Sequence, residues 1–161
     1  MSKTNLVMGL AAVVGVAVSA GAVSAVDISA QAPNPRFGVW QMQSDAPPPS
    51  KNIMTYEPYE DTGMRITVSS TNARGEDNEW GYVTLFDGEF RPVEGQPGSQ
   101  TAVEIVDDRT TRILNMRNGR VTQVIINTLS EDGNTISNEY VRLDQNGAIT
   151  RVTHAVYTRI R

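Results

Sequence analysis

This sequence predicts an all-β fold, an antiparallel up-and-down β-barrel of about eight to ten strands, on three observations. Short runs rich in Val, Ile, Thr and Tyr alternate apolar with polar residues, which is the period of a half-buried strand, and past residue 36 no window carries a helical repeat. Between the runs, "FDGE", "RNGR", "EDGN" and "QNGA" each place Gly after a residue that tolerates positive φ, the chemistry of tight antiparallel hairpins. Such short connections cannot hold the crossovers of a parallel sheet, and a long meander leaves two unpaired edges unless it curls and closes. A two-layer sandwich is the alternative, but it needs longer links, and only "SDAPPPSK" and "RPVEGQPGS" are long enough.

Residues 1–25 join a basic Lys3, an apolar run from Leu6 to Val18 and the small residues Val23-Ser24-Ala25. That is the layout of a signal peptide cleaved near Ala25, and it leads us to expect a periplasmic or secreted bacterial protein. An uncleaved anchor is the competing reading, because the apolar stretch approaches the ~20 residues of a membrane span. Its many Ala, Gly and Ser residues make it weakly hydrophobic and favour cleavage, so no membrane span is expected after signal removal. Residues 26–36, "VDISAQAPNPR", lack periodicity and carry two prolines, and read as a flexible leader. The barrel domain is expected over 37–161.

Nine strands follow in order: 37–43, 53–59, 64–70, 79–86, 101–107, 111–117, 120–129, 135–143 and 149–160. Pro47 to Pro49 cannot donate to a ladder, so this run is expected outside the sheet, as a stiff bridge between the first two strands.

Composition removes several function classes. With 14 Lys and Arg against 18 Asp and Glu, and the arginines spread among acids, the chain repels phosphate backbones and no nucleic-acid partner is expected. The absence of cysteine excludes disulfides, thiolate metal sites and thiol nucleophiles. The acid pairs Glu60-Asp61, Glu76-Asp77, Asp107-Asp108 and Glu131-Asp132 all fall at expected turns without calcium-loop spacing, so no metal and no cofactor is expected. Neither a nucleophile elbow nor a phosphate loop occurs, and no catalytic residue is assigned.

Within the first strand, "GVW" (Gly38-Val39-Trp40) resembles the Gly-x-Trp signature of lipocalins. The stretches "YEP", "FDG", "PVEG", "VDDRT", "NGRV" and "LSEDGNT" are similar to small exported lipocalin-like proteins of bacteria. The resemblance implies a lipocalin-like barrel whose closed end is plugged by Trp40. It also implies that Gly38 lets the chain approach closely and that Arg159 lies over the indole, a contact with cation–π sense.

The candidate ligand-binding residues come from strand alternation. Trp80, Tyr82 and Phe86 share one face of the fourth run, and Met64 and Ile66 one face of the third. Val103, Ile105, Val124, Ile126 and Tyr140 are expected opposite them. On the last strand, pointing Val152, Val156 and Ile160 inward would carry His154, the only histidine, into the lumen. There it is expected as a wall residue first and a ligand contact second. The function this supports is an exported barrel holding a small apolar or amphipathic ligand. The alternative is a filled barrel that acts as an interaction or envelope protein through its loops.

Overall fold

Hydrophobic alternation and Gly-containing turns fold this chain into a single antiparallel sheet. The computed structural model describes residues 33–161; the predicted signal peptide and nearly all of the leader lie outside the described residues. Ten strands follow in order: β1 (Gly38–Met42), β2 (Lys51–Tyr59), β3 (Gly63–Thr71), β4 (Asp77–Thr84), β5 (Arg91–Pro92), β6 (Ser99–Ile105), β7 (Thr110–Arg117), β8 (Arg120–Leu129), β9 (Thr135–Leu143) and β10 (Ile149–Arg159). No helix occurs among the described residues.

The order across the sheet is β4-β3-β2-β1-β10-β9-β8-β7-β6-β5, so every strand pairs with its sequence neighbour except at two places. The first and last strands pair with each other, Trp40 opposite Arg159, and this closes the meander on itself. Between β4 and β5 the ladder is reduced to one bridge, in which the Gly81 and Glu94 amides each donate to the other's carbonyl at 3.2 and 2.8 Å. The barrel is therefore nearly closed, with a thin seam. β5 was not predicted from the sequence; it forms inside "RPVEGQPGS", a stretch that reads as a connection because it carries two prolines and two glycines.

Turn chemistry sets the register. Asn118 and Gly119 both hold positive φ, 49° and 75°, the conformation of a two-residue primed hairpin between β7 and β8. The segment around Pro47–Pro49 stays outside the ladder, and there Ser50 donates its amide to the Pro47 carbonyl.

The closed end is built from the two ends of the barrel domain. Trp40 is fully buried and donates its indole N–H to the Arg36 carbonyl at 2.9 Å. The Arg159 guanidinium lies 4.2 Å from the indole centroid and donates to the carbonyls of Pro35, Phe37 and Gly133. Gly38 fits here because its φ is +141° and a Cβ would meet the Arg161 carbonyl at 2.5 Å.

Two sequence expectations need correction at this level. The compact unit begins at Pro33, so Pro33–Arg36 belong to the barrel rather than to a flexible leader. Arg36 is buried there and donates to the Asn127 side chain and to the carbonyls of Asn127 and Arg109. The inward face of β10 is also the opposite of the expected one: Tyr157 is buried, while Val152 and Ile160 are about half exposed. Pairing of Arg159 with inward-facing Trp40 puts the odd-numbered residues of β10 inside. A single shift in parity moves every side chain of a strand to the other face.

Candidate functional site

Cross-strand rows explain what lines the interior. On one side, Met54, Val68 and Trp80 stand opposite one another across β2, β3 and β4, and Tyr56, Ile66 and Tyr82 form the next row toward the closed end. Trp80 and Tyr82 are stacked, with centroids 6.2 Å apart and planes inclined by 15°. This half of the wall is aromatic and apolar.

The facing half is built on different chemistry. Across β6 to β9 the inward rows read Thr101–Asn115–Gln123–Arg142 and Val103–Ile113–Ile125–Tyr140. Two hydrogen-bond chains run through it. Thr101 donates to Asn115, which donates to Gln123, both at 2.9 Å. The second chain starts at Arg36 and passes through Asn127, Asn138, Tyr140 and Tyr157 to the Asn52 side-chain oxygen, with steps from 2.7 to 3.4 Å. Asn127 and Asn138 are almost fully buried, which is tolerable because the chain satisfies them. Burial pushes the phenols of Tyr56, Tyr82 and Tyr157 well above the ordinary tyrosine range, so all three are neutral donors at physiological pH.

Between the two halves lies a cavity of about 590 Å³. Its lining runs from Tyr56 near the closed end to Gln96, Arg117, Arg142 and Thr150 at the open end. Ile66, Trp80, Tyr82 and Tyr140, predicted as ligand-binding, all line it. Met64 and Phe86, from the same prediction, instead join the packed core around Trp40 at the closed end.

His154 is the clear correction. It sits on the outer face with its side chain 68% exposed, and its Nδ1 is 3.9 Å from Glu139 Oε1, so it lines nothing. Ile105, Val124 and Ile126 also miss the lumen: Ile105 is exposed, and on β8 the inward residues are Gln123, Ile125, Asn127 and Leu129. On β8 and β10 the cause is that much of this interior is polar wall around a cavity, where the rule of pointing the apolar face inward fails. Ile105, by contrast, has the inward parity of Val103 but ends β6 in solvent. The sequence reading accordingly missed Asn52, Asn115, Gln123, Asn138 and Tyr157. One signal for Tyr157 was present, because placing Arg159 over Trp40 already requires odd parity on the last strand. Among the described residues, no group of His, Asp or Glu is arranged to hold a metal ion.

No protein-family model and no functionally described protein matches this sequence. Solved structures do match its fold. A single-site variant of the fluorescent protein UnaG is similar with a TM-score of 0.54 at 11% identity, over 79% of this chain and 97% of that one. Wild-type UnaG is similar with a TM-score of 0.52 at 11% identity, over 76% and 96%. At that identity the likeness concerns the fold alone, an antiparallel β-barrel.

Proposed function

We propose that this protein is an exported binding barrel that holds a small amphipathic molecule in its lumen. The carrying observation is the cavity of about 590 Å³ with one aromatic, apolar wall and one hydrogen-bonding wall. That volume lies within the roughly 300–1,000 Å³ typical of small-molecule sites, and a two-sided lining suits a ligand that is itself two-sided. The apolar body would rest on Ile66, Val68, Trp80 and Tyr82, and polar groups would face Asn115, Gln123 and Tyr140. Export rests on the signal-like layout of residues 1–25.

Titration with an uncharged environment-sensitive dye, followed through Trp80 emission, tests the binding. Saturable uptake that is lost when Ile125→Trp fills the lumen is the expected result. A lack of saturable binding in the wild type would overturn the reading and favour a barrel that acts through its loops. For export, the mature protein isolated from a bacterial host is expected in the periplasm or medium, starting near Val26. An intact N-terminus on protein retained in the cytoplasm would refute it.

A further inference from the structure

The open end of the barrel gathers charge that the linear sequence disperses. Arg117 and Arg142 line the cavity, and no Asp or Glu does. Arg120 is the cross-strand partner of Arg117, and Arg151 that of Arg142, so each shares its partner's face at the same rim. The ion pairs among the described residues engage Arg65, Arg74, Arg91, Arg112 and His154, and none of these four. The arc stands out because the chain as a whole carries a net charge of −4.

The hydrogen-bond chains point the same way. In the shorter chain donation runs along the row from Thr101 through Asn115 to Gln123, so Gln123 spends its oxygen on Asn115 and keeps its amide N–H groups for the lumen. Gln123 stands directly opposite Arg142. In the longer chain the buried Arg36 orients every step, and the last acceptor is the Asn52 oxygen, which leaves that amide's N–H groups for the cavity. The polar wall therefore offers a ligand mostly donors and positive charge.

Resting on the binding function proposed above, we infer that the ligand is an amphiphile with a phosphate-type anionic head. The head is held at the mouth by Arg117, Arg142 and Gln123, and the apolar body runs inward to Trp80 and Tyr82. Phosphate fits better than a carboxylate because a phosphate monoester presents three oxygens and nearly two charges to several donors, whereas a carboxylate presents two oxygens and one charge. Arg120 and Arg151 add long-range attraction that salt would weaken.

The test compares lysophosphatidate with a monoacylglycerol of the same chain length, each displacing the uncharged dye. Wild type is expected to prefer lysophosphatidate by ~10- to 100-fold, the scale of one or two charge-assisted contacts. In the Arg117→Gln/Arg142→Gln variant the ratio of the two lipid affinities, each read against that variant's own dye binding, is expected to collapse to near unity. Equal affinity of wild type for both lipids, with the dye still bound, would overturn the anionic-head inference and leave the binding function standing. Failure of the dye and both lipids to bind would overturn the binding function itself. A preference that survives the double substitution would place the head elsewhere and refute this site.

Discussion

Arg36 carries a positive charge into the base of the barrel, where its partners are neutral: the Asn127 side chain and the carbonyls of Asn127 and Arg109. Burial pulls its pKa below the ordinary arginine range, the direction expected of a desolvated cation. Arg36→Met would leave the buried Asn127 side-chain oxygen without its donor, while the Arg109 carbonyl keeps the Leu129 amide, at a cost of about 1–3 kcal/mol. The urea midpoint should fall with the slope unchanged, and an unaltered midpoint would mean that water replaces the guanidinium. A second prediction concerns Tyr56, Tyr82 and Tyr157, whose pKa values burial raises in the folded state. Above about pH 10 the unfolded chain releases phenolic protons that the native state keeps. Stability is therefore fully present below that pH and falls as pH rises above it. Melting temperatures measured from pH 8 to 11.5 should show this decline, with a shallower slope in Tyr157→Phe; a flat profile would mean the phenols ionise without unfolding. The sequence reading assigned none of these roles, although the parity implied by Arg159 over Trp40 already pointed to Tyr157. Arg36 sat in an aperiodic stretch, and Tyr157 sat on a strand with apolar residues on both faces.

The strands themselves were largely legible, because alternation and Gly-containing turns act over short range. Nine of the ten were expected, with boundaries shifted by a few residues at most, and only Arg91–Pro92 was missed. What alternation could not supply was the face. On β10 one parity offers Val152 and Val156, continued by Ile160 just past its end, and the other offers Ala155, Tyr157 and Arg159. The choice is made by Trp40 on a strand more than a hundred residues earlier. The seam between β4 and β5 was equally invisible, since it depends on how far the barrel curls. There the ladder holds only the Gly81–Glu94 pair, and a Cβ at residue 81 would meet the Ile66 carbonyl at 2.7 Å. Amide exchange should register this thin pairing. The Gly81 and Glu94 amides are expected to exchange at least ~100-fold faster than central β8 and β9 amides such as those of Asn127 and Asn138, as in local rather than global opening. Uniform protection across the seam would show that it opens only when the whole barrel does.

Closure of the whole molecule rests on strands from the two ends of the barrel domain. β1 has only β2 and β10 as partners, and past the end of β10 the pairing continues: Ile160 donates to the Val39 carbonyl, and Val39 donates to that of Arg161. Arg159 alone ties together the turn before β1, the indole of Trp40 and the turn between β8 and β9. Ending the chain after Val156 would remove Tyr157 from the core, uncover Trp40 and leave β1 with one neighbour. Each loss is worth roughly 1–3 kcal/mol by burial or unmet hydrogen bonding. Together they rival the ~5–15 kcal/mol by which a domain is stable at all. The truncated protein should therefore lose its cooperative urea transition and its near-ultraviolet aromatic signal, rather than melt a few degrees earlier. If it instead unfolded in one sharp step within about 1 kcal/mol of the intact chain, the β2–β9 meander would be self-supporting. The pairing of first and last strands would then shape the cavity without holding up the fold.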